Sequence, residues 1–123
     1  MRVRPVGTER AVAIHGWGLS SSVWQGFPGS RLFPGGCQSR SLPGYDGVEA
    51  PVQEQSVTDW ARRMVSGASE PPAMWIGWSL GGLVAMEVAR QYPERVSALT
   101  LMASTPRFQR HPDWPNGLAP PLL

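Results

Sequence analysis

An α/β fold is predicted by three features of the chain. Apolar runs of strand length end abruptly at glycine or small residues, as in Ala11-Val12-Ala13-Ile14-His15 before Gly16. These runs are nearly continuous instead of alternating, the pattern of strands in a parallel sheet covered on both faces. Two of them flank an apolar helix within about 30 residues, which makes a βαβ unit with an expected right-handed crossover.

The elements follow in order. The first strand spans Arg10 to His15, and Gly16-Trp17-Gly18 forms the loop after it. Ser20, Ser21 or Ser22 can cap a short helix through Val23-Trp24. Turn chemistry dominates residues 26–53, with Pro28-Gly29, Pro34-Gly35-Gly36, Pro43-Gly44 and Asp46-Gly47. A weak strand is expected near Cys37–Leu42. Val57, Trp60, Ala61, Met64 and Val65 fall at helical spacing while Arg62, Arg63 and Ser66 point away. Ser56 and Asp59 there have the form of a capping box, and Gly67 can stop the helix. Trp60 and Met64 read as core. A strand over Ala73–Trp78, a helix over Leu80–Tyr92 ended by Pro93, and a strand over Ser97–Ala103 complete the βαβ unit. Residues after Ser104 are irregular and proline-rich.

Composition excludes several functions. The 123 residues hold 41% hydrophobic and 16% charged residues, enough for a core in one domain at most. The net charge of +2 rests on eleven arginines scattered without a stripe, so nucleic-acid binding is not expected. No apolar run approaches the roughly 20 residues of a membrane span or follows the N-terminus as a secretory signal would, which makes a cytoplasmic location the expectation. Cys37 is the only cysteine and lies in a Gly/Pro-rich stretch with no base near it in sequence, so it reads as an inert thiol. No metal or organic cofactor is expected.

The chemistry lies in Gly77-Trp78-Ser79-Leu80-Gly81, a G-x-S-x-G between an apolar strand and an apolar helix. A turn that sharp strains the serine backbone and lifts its Oγ above the sheet edge, the nucleophile elbow. The chain two residues to either side then passes so close that Gly77 and Gly81 are required. The helix N-terminus behind Ser79 favours an oxyanion. One donor for it is the backbone N–H of Leu80, and the other the N–H of Trp17 in the loop after the first strand. Removing one such donor costs roughly 3–4 kcal/mol of transition-state stabilisation. A dinucleotide fingerprint is the competing reading of Gly16-x-Gly18. It fails because Ser21 stands where a third glycine is needed and Trp17 would obstruct a pyrophosphate. His15 precedes the serine and reads as a brace for its loop through hydrogen bonds, not as the general base.

With these motifs the chain resembles the N-terminal half of an α/β-hydrolase. Within that fold it is similar to the pimeloyl-[acyl-carrier protein] methyl ester esterases, the carboxylesterases of biotin biosynthesis. The likeness rests on His15-Gly16-Trp17-Gly18-Leu19, Val23-Trp24, Leu42-Pro43-Gly44-Tyr45, Trp75 through Ala85, Pro93-Glu94-Arg95-Val96 and Asp113-Trp114-Pro115. It implies that Ser79 is the nucleophile, that Trp17 and Leu80 form the oxyanion hole, and that Trp17 also lines the acyl site. It further implies that residues 1–105 are the core and 106–123 the start of a lid. One departure is Ser41, where such hydrolases usually carry Asp before Leu-Pro-Gly.

A serine hydrolase needs an acid and a histidine after its nucleophile. After Ser79 the chain holds only Glu87, Glu94, His111 and Asp113 of those types, and His111 precedes Asp113. The resemblance places the missing Asp and His beyond Leu123. The expected activity is cleavage of an acyl methyl ester carried on acyl-carrier protein, with this piece inactive alone or completed by a C-terminal half in trans. The alternatives are a small-ester esterase or C–C hydrolase using the same elbow, and a non-catalytic fragment or binding partner. Arg107 and Arg110 stand at the lid threshold, where an acidic carrier protein would dock, although a solvated loop also accounts for them.

Overall fold

The computed structural model describes residues 10–53, 56–65 and 70–119. Four parallel strands form one sheet: β1 (Ala11–Ile14), β2 (Cys37–Arg40), β3 (Ala73–Trp78) and β4 (Val96–Met102), in the order β2-β1-β3-β4. Between them lie a 3-10 turn at Ser21–Trp24, a single helical turn α1 (Gly29–Leu32), α2 (Val57–Met64), α3 (Leu80–Gln91) and a second 3-10 turn at Pro93–Arg95.

Side-chain alternation along β1 divides the core in two. Val12 and Ile14 face α2 and α3 and pack with Leu42, Ala61, Met64, Trp75, Val84 and Val88. Ala11 and Ala13 face the opposite side, against Phe33 and Ile76, with Trp24 and Phe27 alongside. Apolar residues at both parities are what a strand buried on both faces requires.

Helix α2 starts where the spacing predicts. The Ser56 hydroxyl accepts the Asp59 N–H at 3.0 Å and donates to the Asp59 carboxylate at 2.7 Å, and that carboxylate also accepts the Ser56 backbone N–H, the reciprocal bond of a capping box. Gly67, the expected stop, lies outside the described residues. Ser20 caps the first 3-10 turn by accepting from Ser22 N–H.

Two elements, α1 and β4, differ from expectation, and β2 is the weak strand expected near Cys37–Leu42. Helix α1 sits where Pro28-Gly29 signals a turn; it is one turn long and carries no periodicity to be read. β2 is short and polar, and its outer residues are held from a distance. Arg40 reaches the Glu70 carboxylate and the Met64 carbonyl, and its guanidinium lies 5.4 Å from the Trp75 ring centroid. β4 is the correction to the expectation of full cover. Leu101 and Met102 are 43% and 42% exposed, because nothing described lies beyond this edge strand.

Glu70 gathers three arginines at the foot of the sheet. Arg40 lies at 2.7 Å, Arg95 at 3.6 Å and Arg10 at 3.8 Å. The Arg40 hydrogen bonds, then the surrounding positive charge, hold its carboxyl below the ordinary glutamate range. A folded pKa below the unfolded one contributes stability above the unfolded value and loses it as pH falls through the folded value. Glu70→Gln is therefore expected to cost about 1 kcal/mol near neutrality, a figure reduced because the carboxylate is partly screened by solvent. The difference should vanish in acid. Urea denaturation of both proteins from pH 7 down to pH 3 checks this.

Candidate active site

Chain direction locates the site first. The connection leaving β1 runs to β2 on one side, and that leaving β3 runs to β4 on the other. The carboxyl ends of β1 and β3 therefore flank a topological switch point, where open α/β sheets leave a crevice for ligands. The loop beginning at His15 and the turn carrying Ser79 occupy those two ends.

Ser79 has φ 57° and ψ −116°, a conformation that costs a non-glycine residue about 1–3 kcal/mol and needs its surroundings to enforce it. The enforcement is visible on both peptide groups. Its N–H donates to the Met102 carbonyl of β4 at 2.8 Å. Its carbonyl accepts from Gly82 N–H, Leu83 N–H and the Ser104 hydroxyl, the last at 2.7 Å. The Ser79 Oγ itself has no hydrogen-bond partner among the described residues.

The glycines around it are steric requirements. A Cβ on Gly77 would strike the backbone of Gly81 and Gly82, and one on Gly81 would strike the carbonyls of Ile14 and His15. A Cβ on Gly82 would strike the Ser104 side chain. Gly16 brings the other loop in: a Cβ there would stand 3.2 Å from Ser79 Cβ and 3.2 Å from the Trp78 carbonyl oxygen.

The two backbone amides singled out by the sequence belong to the residues that follow the two partners of this contact, Trp17 after Gly16 and Leu80 after Ser79. Leu80 opens α3, so its N–H has no intrahelical acceptor. Among the described residues neither the Leu80 nor the Trp17 N–H donates to a protein group. The Trp17 indole is 74% exposed. Trp78, by contrast, turns to the sheet face that carries Trp24, with ring centroids 6.4 Å apart.

His15 is fully buried. Its Nε2 accepts the Leu42 N–H at 3.0 Å, which places its proton on Nδ1, and Nδ1 donates to the Gly16 carbonyl at 2.8 Å. Both nitrogens are committed to holding loops, so the ring has no lone pair for Ser79. Ser41 donates to the Asp46 carboxylate, as does Ser21 N–H at 3.0 Å. These bonds, the Ser41 one first, hold the Asp46 carboxyl below the ordinary range. A carboxylate five residues downstream thus serves the loop where Ser41 departs from the expected Asp.

Of the acid and base candidates after Ser79, Glu87 and His111 are engaged elsewhere, and Glu94 and Asp113 are exposed. Glu87 binds Arg90, Gln91 and Thr58. His111 Nδ1 accepts the Asp113 N–H at 3.1 Å within a local turn, and Asp113 is almost wholly exposed. Arg107 and Arg110 donate to the backbone carbonyls of Gln109 and Gly117. Among the described residues, no group of three His, Cys, Asp or Glu side chains is arranged to hold a metal ion. No described helix is long and apolar enough to cross a membrane. Sequence reasoning missed Ser104, Gly82, Tyr45 and Asp46. The Gly81-Gly82 doublet was the one local signal; the other three act across 25 to 27 residues of chain.

A family profile described as the alpha/beta hydrolase fold matches residues 12–120. Two relatives, each called pimeloyl-[acyl-carrier protein] methyl ester esterase, come from Klebsiella pneumoniae and Methylococcus capsulatus. They are 42% and 40% identical, over 95% and 91% of this chain and 44% and 43% of their own lengths. The chain thus spans less than half the length of the curated relatives it matches. Among solved structures, the epoxide hydrolase CorEH superposes with a TM-score of 0.75 at 23% identity, covering 94% of this chain and 41% of that one. The mouse alpha/beta hydrolase domain-containing protein 10 gives 0.60 at 23%, covering 79% and 41%. At that identity these two likenesses speak for the fold alone.

Proposed function

The chain belongs to the alpha/beta hydrolase family, and on that premise we propose that it is the nucleophile-bearing part of a serine carboxylesterase acting on the methyl ester of pimeloyl-[acyl-carrier protein]. The observation that carries the chemistry is Ser79 at positive φ with an unengaged hydroxyl, together with the unengaged amides of Leu80 and Trp17.

In this reading Ser79 Oγ attacks the ester carbonyl while a general base takes its proton. Negative charge collects on the former carbonyl oxygen and is met by the Leu80 and Trp17 N–H groups at the positive end of α3. The C–O bond to the methoxy group breaks, and methanol leaves with the proton the base returns. Water then adds to the acyl-serine, and the free acid departs with Ser79 restored. No metal or organic cofactor enters these steps.

The base and the acid that orients it are assigned to residues outside this sequence, in the same polypeptide or in trans, because His15 has both ring nitrogens bonded to loops and His111 spends its Nδ1 lone pair on the Asp113 N–H. The chain alone is accordingly read as catalytically silent. Residues 106–123 are taken as the entrance to a lid, with 1–105 as core. The partner is acyl-carrier protein, and the working compartment the cytoplasm.

The substrate assignment is tested by comparing kcat/KM for a carrier-bound dicarboxylic acyl methyl ester with that for free short-chain methyl esters, on the esterase as its source makes it. A preference of about 100-fold for the carrier-bound ester is expected, worth some 2.7 kcal/mol of transition-state binding. Equal rates would move the assignment to a small-ester esterase with the same elbow.

A further inference from the structure

The Gly16–Ser22 loop is suspended from one turn, residues 42–46. The Leu42 N–H donates to His15 Nε2 at 3.0 Å, the Gly18 N–H to Tyr45 Oη at 2.9 Å, and the Ser21 N–H to Asp46 Oδ2 at 3.0 Å. Tyr45 also meets the His15 ring edge-on, with centroids 4.8 Å apart.

Packing does little to hold this loop, since Trp17 and Leu19 are both exposed. Nor do the Gly18 and Ser21 amides need protein acceptors to avoid a penalty, because in an exposed loop water would satisfy them at slight cost. What Tyr45 and Asp46 add is location. Asp46 holds φ 52°, a left-handed conformation that aspartate tolerates better than most residues, and its carboxylate is braced by the Ser41 hydroxyl. Trp17 lies between His15, fixed by one anchor, and Gly18, fixed by the next.

We propose that Tyr45 and Asp46 are positioning residues for ester hydrolysis, holding the Trp17 N–H where the developing oxyanion needs it. The proposal rests on the oxyanion role given above to Trp17. Loss of an oxyanion donor costs about 100- to 1,000-fold in kcat, and a donor left in place but poorly aimed costs less.

Tyr45→Phe keeps the ring on His15 and deletes only the acceptor. Asp46→Gly removes the carboxylate without strain at positive φ, and Asp46→Asn retains an acceptor. On the active esterase, Tyr45→Phe and Asp46→Gly are each expected to lower kcat about tenfold with KM within about twofold, and Asp46→Asn to restore most of that loss. Affinity for a boronic acid that forms a tetrahedral adduct on Ser79 should fall in parallel with kcat, and affinity for the product acid should not. Unchanged kcat in Tyr45→Phe, or a loss confined to KM or tracking the melting temperature, overturns the proposal. Ser79→Ala is the control. If it is dead while Tyr45→Phe turns over normally, the brace alone falls; if it turns over normally, the hydrolase reading falls with it.

Discussion

In the complete esterase, Ser79→Ala is expected to lower ester hydrolysis by about a million-fold in kcat, the scale seen when the nucleophile of a serine hydrolase is removed, with no loss of stability. The two halves of this expectation come from different parts of the structure. Activity depends on the Oγ, which has no hydrogen-bond partner among the described residues and so contributes nothing there to folding. Stability depends on the backbone, which Ala leaves bonded to Met102, Gly82, Leu83 and Ser104. The strain also remains, because Ala carries a Cβ at the same positive φ. Ser79→Gly should instead gain about 1 kcal/mol by releasing it. Methanol release and urea denaturation, measured on both variants, check the two halves. Residual turnover near that of the unsubstituted enzyme would remove Ser79 from the mechanism.

The elbow was legible in the sequence because its demands are local. Gly77, Ser79 and Gly81 lie within five residues, and the need for Gly77 comes from the chain bending back on Gly81 and Gly82, although the need for Gly81 comes from the end of β1 standing against it. Strands β1 and β3 were legible because an apolar run between glycine and proline signals leaves few choices. Strand β2 was faint for the opposite reason. Cys37-Gln38-Ser39-Arg40 has little strand character of its own, and its place comes from pairing with β1 and from Arg40 gripping Glu70 thirty residues away.

β4 shows a further limit. Its composition states that both faces want cover, and that preference is real, yet a local pattern cannot supply the covering element. The brace on the Trp17 loop was invisible for the same reason. Tyr45 and Asp46 sit in a stretch whose local pattern reads as turn chemistry, and what they do depends on which loop stands opposite them after folding. Local spacing encodes where a nucleophile can stand. Long-range contacts encode how well its surroundings are aimed.

In the complete esterase, Gly81→Ala is expected to destabilise the fold by about 3 kcal/mol or more and to abolish ester hydrolysis, although alanine is the better helix former by about 1 kcal/mol. The added methyl would meet the Ile14 and His15 carbonyls, which are backbone and cannot rotate aside. Relief requires α3 to move off β1, which would widen the crevice between the Trp17 loop and Ser79 and carry Leu80 away from that loop. Gly47→Ala separates this steric cost from the conformational one. Gly47 has φ 79° with nothing within 4 Å of an added methyl, so only the left-handed backbone resists, at about 1 kcal/mol. Gly81 has no positive φ and meets only the collision. A chain with marginal stability can absorb the first change and has little room for the second. Equal denaturation midpoints for the two variants would show that α3 can shift freely against β1, and the account of the elbow as a steric lock would fail.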